Sequence, residues 1–103
     1  MRTLLITYNL DGGDDQYKEV ATAIKGQGST WHNRLTFDSV WWLKTESTSE
    51  QVRDAIKPTF TSDDHLFVGE ISTWNGSYMT PLANWLNDKT VHVNLFETVS
   101  LSI

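Results

Sequence analysis

The chain has 103 residues, a mass of 11.8 kDa and a formal net charge of −5, which fits one domain with one modest core. It has no cysteine, which excludes disulfides, zinc–thiolate sites, iron–sulfur clusters and cysteine nucleophiles. Hydrophobic residues at 39% and charged residues at 20% exclude wholesale disorder, and the acidic balance disfavours broad attraction to a phosphate backbone.

Arg2 to Asn9 reads as a strand, and its Leu4-Leu5-Ile6 run implies burial on both faces, as in a central strand. Asp11-Gly12-Gly13-Asp14-Asp15 is a turn leading to a helix start, with Asp14 as the expected N-cap. Tyr17, Val20, Ala21 and Ile24 then repeat at helical spacing, predicting a helix from Asp15 to Lys25 that Gly26 and Gly28 end. Trp31 to Leu35 and Ser39 to Thr45 read as two strands joined by Thr36-Phe37-Asp38. The second of these, with Val40-Trp41-Trp42-Leu43, is again apolar on both faces. Ser47-Thr48-Ser49-Glu50 matches a capping box, Val52, Ala55 and Ile56 form a second helical stripe, and Pro58 stops it. His65 to Ile71 is a fourth strand.

The order is βαββαβ, the signature of an α+β, ferredoxin-like fold in which right-handed crossovers place both helices on one face. Residues 1–103 form a single such domain. Beyond it, Thr80 to Leu86, with Pro81 in its first turn, suits a short helix. Val91, Val93 and Leu95, then Val99, Leu101 and Ile103, alternate as one or two additional C-terminal strands. Residues 78–103 are thus an extension expected to take part in dimerisation.

Several segments have a familiar look: Leu5 to Leu10, Tyr17 opening a helix, Ala23-Ile24-Lys25 before a glycine, Trp31-His32, Trp42 to Thr45, Val52-Arg53-Asp54, and Asp64 to Ile71. Together, over roughly residues 2 to 75, they resemble the SinR family of small proteins. That family belongs with the CRISPR-associated protein-two-like group, which includes a spacer-acquisition subunit and the VapD toxins. The resemblance implies the same ferredoxin-like fold and a homodimer whose C-terminal strands often pair with the partner's sheet. It also implies a setting in defence, counter-defence or toxin biology. In the group's nucleases the first strand ends in a Tyr-Asp pair, and the two aspartates of the dimer are proposed to hold a divalent metal. Here the pair is Tyr8-Asn9, and a neutral amide binds Mg²⁺ far less well than a carboxylate.

Asn9, Asp11, Asp14 and Asp15 supply enough oxygens for a loose cation loop, with Asp11 and Asp14 the candidate metal ligands. The same acids equally suit a solvated turn before a helix. His32 is the histidine placed to serve as a general base or ligand, although nothing adjacent completes a catalytic pair; a structural role fits it as well. Asn9, Asp11 and His32 are therefore the candidate catalytic residues. His65 and His92 are weaker candidates. Trp31, Trp41, Trp42, Trp74 and Trp85 offer either base stacking or a protein-binding face. No cluster of Lys and Arg accompanies them, which favours protein. Adjacent Trp41 and Trp42 must point to opposite sides of the sheet, so one lies on the face away from the helices, an apolar face that a partner would cover.

The acidic charge, the apolar sheet face and the amide at Asn9, where the resemblance implies a carboxylate, thus favour a dimeric interaction module similar to the CRISPR-associated protein-two-like group, without catalysis or cofactor, with a protein partner beyond its own copy as a further expectation. The first alternative is a metal-dependent endoribonuclease or deoxyribonuclease using Mg²⁺ or Mn²⁺ through Asp11 or Asp14. The second is a nucleic-acid-binding regulator. With apolar runs far short of the ~20 residues of a membrane span and no basic start leading into an apolar stretch, the expected location is the cytoplasm, with no membrane partner.

Overall fold

The computed structural model describes residues 1–32 and 39–88. Strand β1 (Arg2–Asn9) leads to helix α1 (Asp14–Lys25), followed by β2 (Ser29–Trp31), β3 (Val40–Thr45), α2 (Ser49–Ile56), a 3-10 turn (Lys57–Thr59), β4 (His65–Glu70) and α3 (Thr80–Asn87). The strands form one antiparallel sheet in the order β2-β3-β1-β4. This is the βαββαβ ferredoxin-like arrangement, extended by a C-terminal helix. The two strands with apolar side chains on both faces, β1 and β3, are the two central ones, because only a central strand is covered by neighbours on both edges.

Register sets which side chains share a face. Ile6 lies opposite Trp41 on one side and Val68 on the other, and Leu4 lies opposite Leu43. These residues meet Val20 and Ile24 of α1 and Val52 and Ile56 of α2 in the main core, where Leu4, Ile6, Val20, Ile24, Leu43, Val52 and Ile56 are all fully buried. Both helical stripes supply core residues as their spacing predicts, with two differences: Tyr17, at the start of the α1 stripe, is 37% exposed, and Ala55 is exposed, because a two-turn helix touches the core along a narrower strip. Trp41 faces this core, and Trp42 faces away from it.

Four local expectations shift. Helix α1 begins at Asp14, and Gly13 is its N-cap, with no side chain capping it. The aspartates act instead as first-turn charges, Asp14 and Asp15, near the positive end of the helix. Helix α2 is capped by Thr48, not Ser47: the Thr48 hydroxyl accepts from the Gln51 N–H and the Gln51 side chain accepts from the Thr48 N–H. Two overlapping hydroxyl-x-x-Glu/Gln patterns occur here, and the one that forms is one residue later. Strand β2 covers Ser29–Trp31 rather than starting at Trp31, because Gly28 lets it pair early. A Cβ at Gly28 would sit 2.2 Å from the Lys44 carbonyl oxygen, so only glycine permits that approach. The strand ends at Trp31, so His32 lies just past it; the expected continuation through residues 33–35, the expected connection at Thr36-Phe37-Asp38 and the alternating tail from Val91 to Ile103 lie outside the described residues.

The fourth shift matters most. The face away from the helices is not fully open. Helix α3 lies across its β2–β3 half, where Leu82 and Trp85 are buried with Trp31, and Trp42, Met79 and Leu86 pack around them. Among the described residues, no helix is long and apolar enough to cross a membrane.

Candidate functional site

The face away from the helices is the surface with the most to offer chemically, and α3 divides it in two. On the covered half, Lys44 anchors the helix. It follows Trp42 by two positions in β3, so its side chain emerges on the same face. Its Nζ donates to the backbone carbonyls of Trp85 and Asp88 at the C-terminal end of α3 and lies 4.4 Å from the Trp85 ring centroid. A cation there satisfies orphan carbonyls and opposes the negative end of the helix dipole. Burial lowers the Lys44 pKa, and the nearby Asp88 carboxylate offsets part of that shift.

On the other half, β1 and β4 present Leu5, Thr7 and Asn9 opposite Gly69, Phe67 and His65 respectively. Phe67 is 59% exposed, and its ring leans over Gly69, where an added Cβ would come within 2.9 Å of Cε2. Leu5 is half-buried. No described strand pairs with the outer edge of β4.

The sequence-expected site residues do not form one constellation. Asn9 is exposed at the end of β1, with His65 as its cross-strand neighbour. Asp11 and Asp14 are exposed, Asp14 as the first residue of α1. His32 lies on the opposite face of the sheet from Asn9: its ring stacks on Trp41, with centroids 4.3 Å apart and planes 10° from parallel. Trp41 Nε1 in turn donates to the Tyr8 hydroxyl at 2.9 Å, and Tyr8 packs near Phe60 and Tyr17. His32 therefore caps an aromatic chain on the helix side. Among the described residues, no three histidines and acids lie close enough to hold a metal ion.

The organising group of the acidic loop is Asp64. Its Oδ1 accepts the Asp11 N–H at 2.7 Å, and its Oδ2 accepts Gln16 Nε2 at 2.6 Å, the Thr61 N–H at 2.7 Å and the Thr61 hydroxyl at 3.2 Å. Gln16 Nε2 also donates to the Thr59 carbonyl. One carboxylate thus ties the β1–α1 loop, the first turn of α1 and the turn before β4 together. The backbone donors of Asp11 and Thr61, then the Gln16 and Thr61 side chains, hold its pKa down at about 2, from an ordinary 3.8. A depressed pKa stabilises the fold above the unfolded value and loses that contribution as pH falls through the folded value. Stability should therefore drop between pH 4 and pH 2, and the drop should be smaller in Asp64→Asn; urea midpoints at pH 5 and pH 2.5 for both chains measure it. Equal losses in the two chains would remove Asp64 from the account. Sequence pattern offers only a faint sign of this clamp, the hydroxyl of Thr61 three residues before an acid. For Lys44, the sign is its place two residues after Trp42.

Beside the clamp runs a groove of about 770 Å³, whose lining includes Pro58, Phe60 and Leu66 together with Arg53, Lys57 and Asp64. Arg53 is already forked onto Asp54, at 3.0 and 2.7 Å.

No family model, no curated protein and no solved structure matches this chain.

Proposed function

We propose that this protein is a cytoplasmic interaction module without catalysis of its own that works as a homodimer through the β1–β4 half of the open face. The observation that carries the reading is Phe67, an aromatic ring 59% exposed on the outermost described strand, beside Leu5 and next to the half of the face that α3 covers. An exposed apolar side chain on an antiparallel edge suits a second copy, because a two-fold axis brings the same edge and the same ring to meet themselves. The β1–α1 loop that the nuclease alternative needs is tied through the Asp11 N–H to Asp64, a carboxylate that accepts four donors in all, which supports a structural role for that loop. The resemblance to the CRISPR-associated protein-two-like group points to defence or counter-defence as the setting.

Light scattering of the intact chain should give about twice 11.8 kDa. Phe67→Glu puts a charge on the interface and should shift the mass toward the monomer while leaving the circular dichroism spectrum unchanged. A chain ending at Asp88 should also lose the dimer. A well-behaved monomer at every concentration would overturn the proposal, as would Mg²⁺- or Mn²⁺-dependent RNA cleavage that Asp11→Ala abolishes.

A further inference from the structure

We infer that α3 is a releasable cover over the β2–β3 half of the sheet, with Lys44 as its latch. Four observations converge. The helix has eight residues, Thr80–Asn87, and an isolated helix of two turns is unstable in water, so α3 exists by virtue of what it packs against. That packing rests on two buried side chains of its own, Leu82 and Trp85. Its N-terminal end is loosely made: Met79 is the N-cap and no side chain caps it, and the preceding Tyr78 is wholly exposed with φ 61°, a left-handed conformation that strains a residue bearing a Cβ. Beneath the helix, the Trp31 indole N–H is buried with no acceptor among the described residues, so among those residues α3 covers that donor without offering it a hydrogen bond. Against these stands one strong contact set at the other end, the Lys44 ammonium on the Trp85 and Asp88 carbonyls and over the Trp85 ring.

Release would leave the main core intact, since none of its residues comes from α3. It would uncover Trp31 and Trp42. Trp42 lies directly opposite Leu5 in the β1–β3 ladder, and Leu5 lies opposite Gly69, beneath the Phe67 ring. The two halves of the face would then join into one apolar band across all four strands. The inference stands independently of the dimer: α3 sets how much of this face is accessible, whether or not a second copy binds there.

Native-state hydrogen exchange of the intact protein at low urea tests it. The Ala83 and Asp88 amides, which donate to the Met79 and Asn84 carbonyls in α3, should exchange through a smaller opening than the amides of β1. Lys44→Met keeps the aliphatic stem and removes the donors. It should speed exchange at Ala83 and Asp88 by about 10-fold or more, the size of losing a charge-assisted hydrogen bond, while β1 protection stays unchanged. The inference fails if α3 and β1 amides exchange in one common opening in the wild type, or if Lys44→Met speeds both sets alike. The wild-type comparison decides the question alone should the variant fail to fold.

Discussion

Trp41→Ala should lose about 3–5 kcal/mol of folding stability, the range for removing a large aromatic from a core. Trp41 is 4% exposed and sits between Ile6 and the helices. It also links two other groups: its indole N–H satisfies the Tyr8 hydroxyl, and its ring is the platform on which His32 stacks. Truncation therefore opens a cavity and strips a polar group of its donor at once. Urea unfolding measures the loss. Trp41→Phe refills most of the volume but leaves the hydrogen bond unmade, so it should recover most of the stability and fall short by about 1 kcal/mol. A loss under about 0.5 kcal/mol for Trp41→Ala, the size of a surface effect, would mean that the two adjacent tryptophans are assigned to the wrong faces.

Ile24→Ala should cost about 2–5 kcal/mol. Ile24 is fully buried at the C-terminal end of α1, in the same cluster as Val20, Val52 and Ile56 above Leu4 and Ile6. The site has little freedom to collapse, because two helices and two central strands fix its walls, which places the cost toward the upper part of that range. The urea midpoint should fall with an unchanged slope, the mark of a stability change without a change in the denatured state. An unaltered midpoint would show that α1 does not pack on this face.

The parts of the fold that the sequence makes legible are those with a repeat. Val20 and Ile24 announce a helix face by spacing, and the back-to-back Trp41 and Trp42 announce a strand covered on both sides. Their two neighbourhoods, the main core and the α3 cluster, are where the structure puts them. Features set by a single long-range contact leave no such trace. Asp64 sits in an ordinary turn in the sequence, yet it reaches Asp11 and Gln16 some 50 positions away. Lys44 looks like one of several scattered cations until α3 folds back to present its carbonyl end. The cap of α2 is Thr48 and not Ser47, because two overlapping patterns compete there and spacing alone does not choose between them. Among the site candidates, alternation alone could have separated His32 from Asn9. Trp31 lies opposite Trp42 on the α3 side of the sheet, and His32, the next residue, turns to the other side to stack on Trp41.

The claim that the uncovered half of the sheet is a self-interface can be read directly by an isotope-filtered NOE experiment on an equal mixture of labelled and unlabelled protein. The account predicts intermolecular contacts at the Phe67 ring and the Leu5 methyls and none at Val20, Ile24, Val52 or Ile56, which the main core encloses. Intermolecular contacts confined to the outer faces of α1 and α2, or none anywhere at millimolar concentration, would contradict it.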